Sequence, residues 1–308
     1  MNLRSFVFAI IRDKICNFWM SLCVEDIDLF HYSFSMFRFF LKKNFCDVWD
    51  NFFYIVVCNL FVIMSVFISG FLITMVSATS LQGGFKTLCI FAVIILDCFL
   101  FSLVYFSSGK SAFQISNFNS PRYIDFFYGF RFFFIDAALL GFFEGILIYT
   151  SIISLPYYFL RWEETKNVLQ AIFAAILFWF LVATLFALQW FLGVKTILGN
   201  SFFKCLKKCY ILFFDNLGFT FLLFFVNIIN VLITILTFGL FPNLMGIAVT
   251  NVNAFRLILR KYNWLEKQNK LFQPKNQQIP WNELLSEDKN ILGSRTIKGL
   301  FFPWCDNK

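Results

Sequence analysis

The chain has 308 residues, of which 59% are hydrophobic, 22% aromatic and only 14% charged, with 49 Phe and a net charge of +8. A soluble domain carries about 25% charged residues, so this chain has too little charge to cover a water-facing surface. A soluble fold is excluded, and the reading is an all-α protein, a polytopic transmembrane helical bundle.

In chain order, residues 1–51 read as a cytoplasmic amphipathic arm. The apolar run 6–11 is too short for a signal peptide and runs into Arg12-Asp13-Lys14, so the first span is expected to direct insertion. A span needs about 20 mostly apolar residues. Five stretches qualify plainly, at 52–78, 87–106, 132–160, 168–194 and 212–238. A sixth, 243–259, is weak because it carries Asn243, Thr250, Asn251 and Asn253, and it needs partners in the bundle to satisfy its amides. A re-entrant or interfacial helix is the alternative for that segment. Residues 260–308 read as a cytoplasmic tail.

Lys and Arg collect on the cytoplasmic side of membranes. With six spans, only Lys86, Arg161 and Lys166 fall in outer loops, and Arg256 lies within the sixth span. Five spans would move the nine tail cations outside. The expected topology is therefore six spans, five plus one weak, with both termini cytoplasmic.

Two segments 165 residues apart share a pattern. Phe37-x3-Leu41-Lys42-Lys43-x-Phe45 with Trp49-Asp50-Asn51 precedes the first span; Phe202-x3-Leu206-Lys207-Lys208-x-Tyr210 with Phe214-Asp215-Asn216 precedes the fifth. A looser third copy, Tyr128-Gly129-Phe130-Arg131 followed by Asp136, stands at the third span. Such segments are expected to be amphipathic interfacial lead-in helices. Lys42, Lys43, Lys207 and Lys208 would face anionic lipid headgroups, and Asp-Asn would cap the following span. The pattern either marks a repeat-built transporter or recurs because insertion favours basic lead-in helices.

Asp97 sits at the centre of the second span and Glu144 at the centre of the third, with Asn227 and Asn230 near the middle of the fifth. An ionised acid at the bilayer centre costs at least about 2.5–3.5 kcal/mol, so these acids are expected to be neutral or to face a hydrated cavity. Asp97 and Glu144 are the candidate proton- or cation-handling groups, with Asn227 and Asn230 as hydrogen-bond partners. The competing reading has each acid bonded to a Ser, Thr or Asn across a helix contact as structural glue. Pro156 is expected to bend or end the third span.

The tail holds two similar phrases, Ile279-Pro280-Trp281 and Phe302-Pro303-Trp304. Trp281 and Trp304 either anchor the tail at the interface or dock it on a protein partner. Nine cysteines without a C-x-x-C and a lone His31 leave no ligand set for zinc or haem, so neither a metal nor a cofactor is expected. There is no nucleotide-binding loop, no nucleophilic triad and no isolated basic stripe for nucleic acid. No enzymatic activity is expected.

From about Tyr123 to Tyr262 the chain resembles the YesL-like family of uncharacterised bacterial integral membrane proteins. The resemblance is carried by Phe126-Phe127-Tyr128-Gly129-Phe130-Arg131, by Leu206-Lys207-Lys208-x5-Phe214-Asp215-Asn216, and by Phe255-Arg256-Leu257-Ile258-Leu259-Arg260. It implies a bacterial inner-membrane setting and, through a link with carbohydrate uptake, small-solute transport. Two functions follow: a transporter or permease-associated component, or a non-catalytic scaffold recruiting partners through arm and tail. A topology reporter fused after Lys308 is expected to be active only in its cytoplasmic form; activity confined to the outer face would refute the six-span topology.

Overall fold

The computed structural model describes residues 27–79, 83–268 and 279–293, with side chains from Met36 onward in the first helix. The arm before residue 27, the His31 side chain, the phrase Phe302-Pro303-Trp304 and the anchor Trp304 lie outside the described residues. Among the described residues the fold is all-α, with no strand. The helices are α1 (Ile27–Asp50), α2 (Phe52–Ala78), α3 (Gly84–Ser116), α4 (Tyr123–Phe132), α5 (Phe134–Tyr149) and α6 (Leu155–Thr165). Then come α7 (Val168–Leu188), α8 (Phe191–Leu198), α9 (Phe202–Asp215), α10 (Leu217–Leu236), α11 (Asn243–Lys267), α12 (Trp281–Leu284) and α13 (Ser286–Leu292).

Five runs are long and apolar enough to cross a membrane: α2, α3, the continuous run Phe134–Thr165, α7 and α10. A helix bonds its own backbone, which is why apolar stretches of this length adopt it. Large apolar side chains such as Phe67, Ile135, Trp179 and Leu236 point outward from these runs.

The boundaries differ from expectation where side chains interrupt the ladder. The fifth span begins at Leu217 rather than 212, because Asn216 breaks the helix with φ −128° and ψ 48°. The fourth stops at Leu188, and Phe191–Leu198 forms a separate short helix. The third continues past Pro156 to Thr165 through one π turn at Thr150–Ser154. Proline has no N–H to give to the preceding turn, and the wider turn just upstream accommodates that loss. The second extends to Ser116, with Ser107, Ser108 and Ser116 each donating to a carbonyl three or four residues earlier.

α11 is the weak sixth segment. It is absent from the five membrane-crossing runs, yet it is enclosed by protein: Met245, Ala248, Val249, Val252, Asn253 and Phe255 are all buried. It packs against α1, α2, α3, α8 and α10. Its polar composition fits this position, since it faces other helices rather than lipid.

The expected capping role of Asp-Asn is overturned. Neither Asn51 nor Asn216 caps the helix that follows. Instead Asn51 Nδ2 donates to Asp47 O at 2.8 Å and Asn216 Nδ2 to Leu212 O at 3.3 Å, each closing the end of the helix before it. Nor is α1 a detached arm. Phe40, Lys43, Asn44 and Asp47 are buried, and Met36, Phe39, Phe40 and Val48 belong to the main core cluster.

α5 lies unusually close to α3. A Cβ built on Gly141 would stand 2.6 Å from the Phe99 backbone, and one on Gly145 would stand 3.1 Å from the Ile95 side chain. This small-x3-small pair brings the two backbones together. Gly141→Ala is expected to cost about 1–3 kcal/mol through overpacking. Thermal unfolding in detergent checks this, with Gly70→Ala, where nothing lies within 4 Å, as the near-neutral control.

Candidate functional site

The two mid-span acids are held separately. Ser69 Oγ on α2 lies 2.5 Å from Asp97 Oδ1 on α3, and Ser102 Oγ on α3 donates to Glu144 Oε2 on α5 at 3.0 Å. Gly141 and Gly145 flank Glu144 and bring its helix close enough to α3 for that bond. Both carboxyl groups are within electrostatic reach of the Cys98 thiol between them.

Asn227 and Asn230 do not serve these acids. They bond to α11 instead, because α10 runs into α11 through the turn at Gly239 and the two helices pack together. Asn227 Nδ2 donates to Gln189 Oε1 and to Asn251 Oδ1, both at 3.0 Å. Asn251 Nδ2 donates to Tyr105 Oη on α3 at 2.8 Å. A continuous line of side chains thus joins α7, α10, α11 and α3, and Glu144 is close enough to influence the Tyr105 hydroxyl. Asn227 Oδ1 is buried in this line with no partner.

A second branch lies along the same helix. Thr250 Oγ1 accepts from Asn44 Nδ2 and Asn230 Nδ2, each at 3.0 Å, and donates to Gly246 O. Asn253 Nδ2 donates to Asp47 Oδ2 at 2.9 Å, and Lys43 Nζ reaches the same oxygen at 2.6 Å. Burial pushes the Lys43 ammonium below its ordinary value and the Asp47 carboxyl above its own, while their mutual attraction opposes both shifts. At the N-terminal end of α11, the buried Asn59 donates to Leu240 O and Pro242 O and accepts from Met245 N.

Arg256, Arg260 and Lys261 follow in the C-terminal half of α11. Lys261 Nζ donates to Asn216 Oδ1 at 2.8 Å, Asn216 Nδ2 donates to Tyr262 Oη at 2.9 Å, and Tyr262 Oη donates to Asp215. Burial lowers the Lys261 amine from the ordinary 10.5 to about 8 and raises the Tyr262 phenol to about 12.

Two of the expected interfacial anchors are corrected. Lys43 is 2% exposed and pairs with Asp47, so it cannot face headgroups. Trp281 is 6% exposed and joins the core cluster, so it is not an interfacial anchor. Lys42 donates to Gly293 O at 3.3 Å, while Lys207 is exposed and Lys208 partly so. Among the described residues, no group of three or more His, Cys, Asp or Glu could hold a metal ion.

The sequence reading named Asn227 and Asn230 but missed Asn44, Asp47, Asn59 and Tyr105. The available signal was the spacing of Lys43 and Asp47, one helical turn apart, and an amide at position 59 within an apolar span. No family model matches the chain, and neither a curated protein nor a solved structure matches it.

The Lys261 shift has a readable consequence. Below pH 8 the amine is protonated in both the folded and unfolded chains, so the folded chain carries the full desolvation burden. Between about pH 8 and 10.5 the folded chain sheds a proton that the unfolded chain retains, and stability rises with pH. Lys261→Met is expected to be more stable than the native chain at pH 7, and the difference should shrink towards pH 10. Parallel unfolding curves across that range measure it.

Proposed function

We propose that the protein is a small-solute transporter, or the membrane component of a permease, in the cytoplasmic membrane with both termini inside. The α11 seam is then the surface that its solute meets. The observation that supports this reading most is the line Tyr105–Asn251–Asn227–Gln189, with the unfilled acceptor Asn227 Oδ1 within it. Leaving a buried acceptor unpaired costs about 1–3 kcal/mol, and a donor from water or solute would relieve that cost. Amides and a phenol supply donors and acceptors without net charge, which suits a neutral hydroxyl-bearing solute better than an ion. The YesL-like resemblance points the same way.

Asp97 and Glu144 have the separate role of proton or cation handling in this scheme. Each has a serine partner and both stand beside Cys98, which makes the native thiol a reporter of hydration at that depth. The scaffold alternative has less to rest on, since Trp281 is turned into the protein's own core rather than towards a partner.

Proteoliposomes offered a panel of neutral sugars are expected to show uptake of at least one of them. Asn227→Leu and Asn251→Leu should each lower that uptake roughly tenfold, the order expected for a lost buried hydrogen bond. A small water-soluble maleimide should label Cys98 in the same preparation. Absence of uptake across the panel together with an unreactive Cys98 would overturn the transport reading.

A further inference from the structure

The C-terminal segment 281–292 consists of α12 and α13, of four and seven residues. Helices this short are not stable in water on their own, since nucleation alone needs more bonds than they can form. Their structure therefore depends on docking. Trp281, Leu285 and Leu292 are buried, and Trp281 and Leu285 join the core cluster that contains α1 and α11 residues.

The polar part of the docking centres on Asp288, which is 2% exposed. Its Oδ1 accepts from Arg256 Nη2 at 3.2 Å and from Arg260 Nη2 at 2.9 Å, while its Oδ2 is buried without a partner. Arg260 Nη1 also donates to Leu284 O at 2.8 Å, and Lys42 Nζ to Gly293 O. Arg256 Nη1 donates to Ser116 O, so the same side chain ties the segment to the end of α3. Lys43, paired with Asp47, is within electrostatic reach of both Arg256 and Asp288. The segment therefore sits where the ionic part of the α11 seam would otherwise meet water.

We propose that residues 281–292 form a strap that closes the ionic end of the α11 seam, latched by Asp288 between Arg256 and Arg260. With the latch closed, the Lys43–Asp47 pair and the Asn253–Asn44–Thr250 branch behind it are shielded. With it open, the two guanidinium groups and this branch become accessible from the aqueous side. The strap is thus an autoinhibitory contact in the chain itself, and it stands whatever the seam carries. A single carboxylate opposite two arginines makes the latch sensitive to loss of one charge, because a buried ion pair that loses a partner leaves the other uncompensated.

Two measurements on the full-length protein test this. Amide hydrogen exchange reads strap docking at Lys289 and Gly293, whose N–H groups donate to Leu285 O and Lys289 O. Peptide-resolved labelling by a water-soluble maleimide at Thr250→Cys reads access to the seam. Asp288→Asn is expected to raise both rates at least about tenfold, because each follows the population of the open form. Asp288→Arg should do the same, and adding Arg260→Asp, which restores two cations and one anion, should return both rates towards native. Unchanged exchange in Asp288→Asn would refute the latch. Faster exchange without faster labelling at position 250 would refute the sealing role. Failure of the charge-reversed pair to restore protection would show fold damage rather than a latch.

Discussion

A helix whose residues include Asn243, Thr250, Asn251, Asn253 and Arg256 cannot face lipid, and it cannot be left without hydrogen-bond partners inside a low-dielectric bundle. α11 meets that constraint by drawing each partner from a different place in the chain. Asn59 of α2 holds its N-terminus, Asn44 and Asp47 of α1 meet Thr250 and Asn253, Tyr105 of α3 meets Asn251, and Asn227 and Asn230 of α10 face it from the other side. Each such bond contributes only about 0.5–1.5 kcal/mol net, but an unmade one costs about 1–3 kcal/mol. The penalty thus acts more on the register of α1, α2, α3 and α10 against α11 than on overall stability. Even so, Asn227 Oδ1 and Asn253 Oδ1 are left unfilled. A network satisfied nearly everywhere and open at two buried acceptors is more informative about function than one with no gaps.

The helices that do not touch α11 are held by a different device. α5 reaches α3 through Gly141 and Gly145, whose lack of side chains lets the backbones come close, and the serine–carboxylate pairs bond across the contacts of α3 with α2 and α5. Within a membrane, apolar contact does not drive helices together, because lipid tails are as apolar as Leu. Small residues and a few polar bonds are left to set the association. The abundant Phe then divides by position. Phe67, Phe142 and Phe225 point outward, whereas Phe40, Phe106 and Phe191 fill the core with ring contacts such as Phe40–Phe219 and Phe106–Phe191.

Long apolar spans were legible in the sequence because hydropathy over 20 residues does not depend on what the helix touches. The core of α2 and α7 was recovered on that ground, and helix ends were missed where one residue, such as Asn216, stops the ladder. The polar seam was legible only in part. Asn44 and Thr250 are 206 residues apart, and no local pattern announces such a pairing. Lys42 and Lys43 show the same limit on a smaller scale. Consecutive residues on a helix point about 100° apart, so one faces the tail at Gly293 while the other is buried on Asp47. A basic pair predicted outward-facing charge, and only the acid one turn further on distinguished them.

The 165-residue pattern can be judged by what composition does not control. Phe-rich sequence aligns with itself readily, but burial and backbone breaks are set by packing. Phe40, Asn44, Asp47 and Val48 are buried, and so are Cys205, Cys209, Leu212 and Phe213 at the same offset, although no pair shares a residue type. Beyond the joint, Tyr54, Ile55 and Cys58 are matched in burial by Phe219, Thr220 and Leu223. The joints themselves are Asn51 and Asn216, each with a non-helical backbone and each donating its amide to the carbonyl four residues earlier. A basic lead-in helix recurring only to aid insertion would need its cations outward, yet Lys43 is buried while its counterpart Lys208 is partly exposed. What the two copies share is the hinge and the inward face. Since the inward face of one copy meets α11 through Asn44 and Asp47 and the span of the other meets it through Asn227 and Asn230, the repeated units close on the polar helix from two sides.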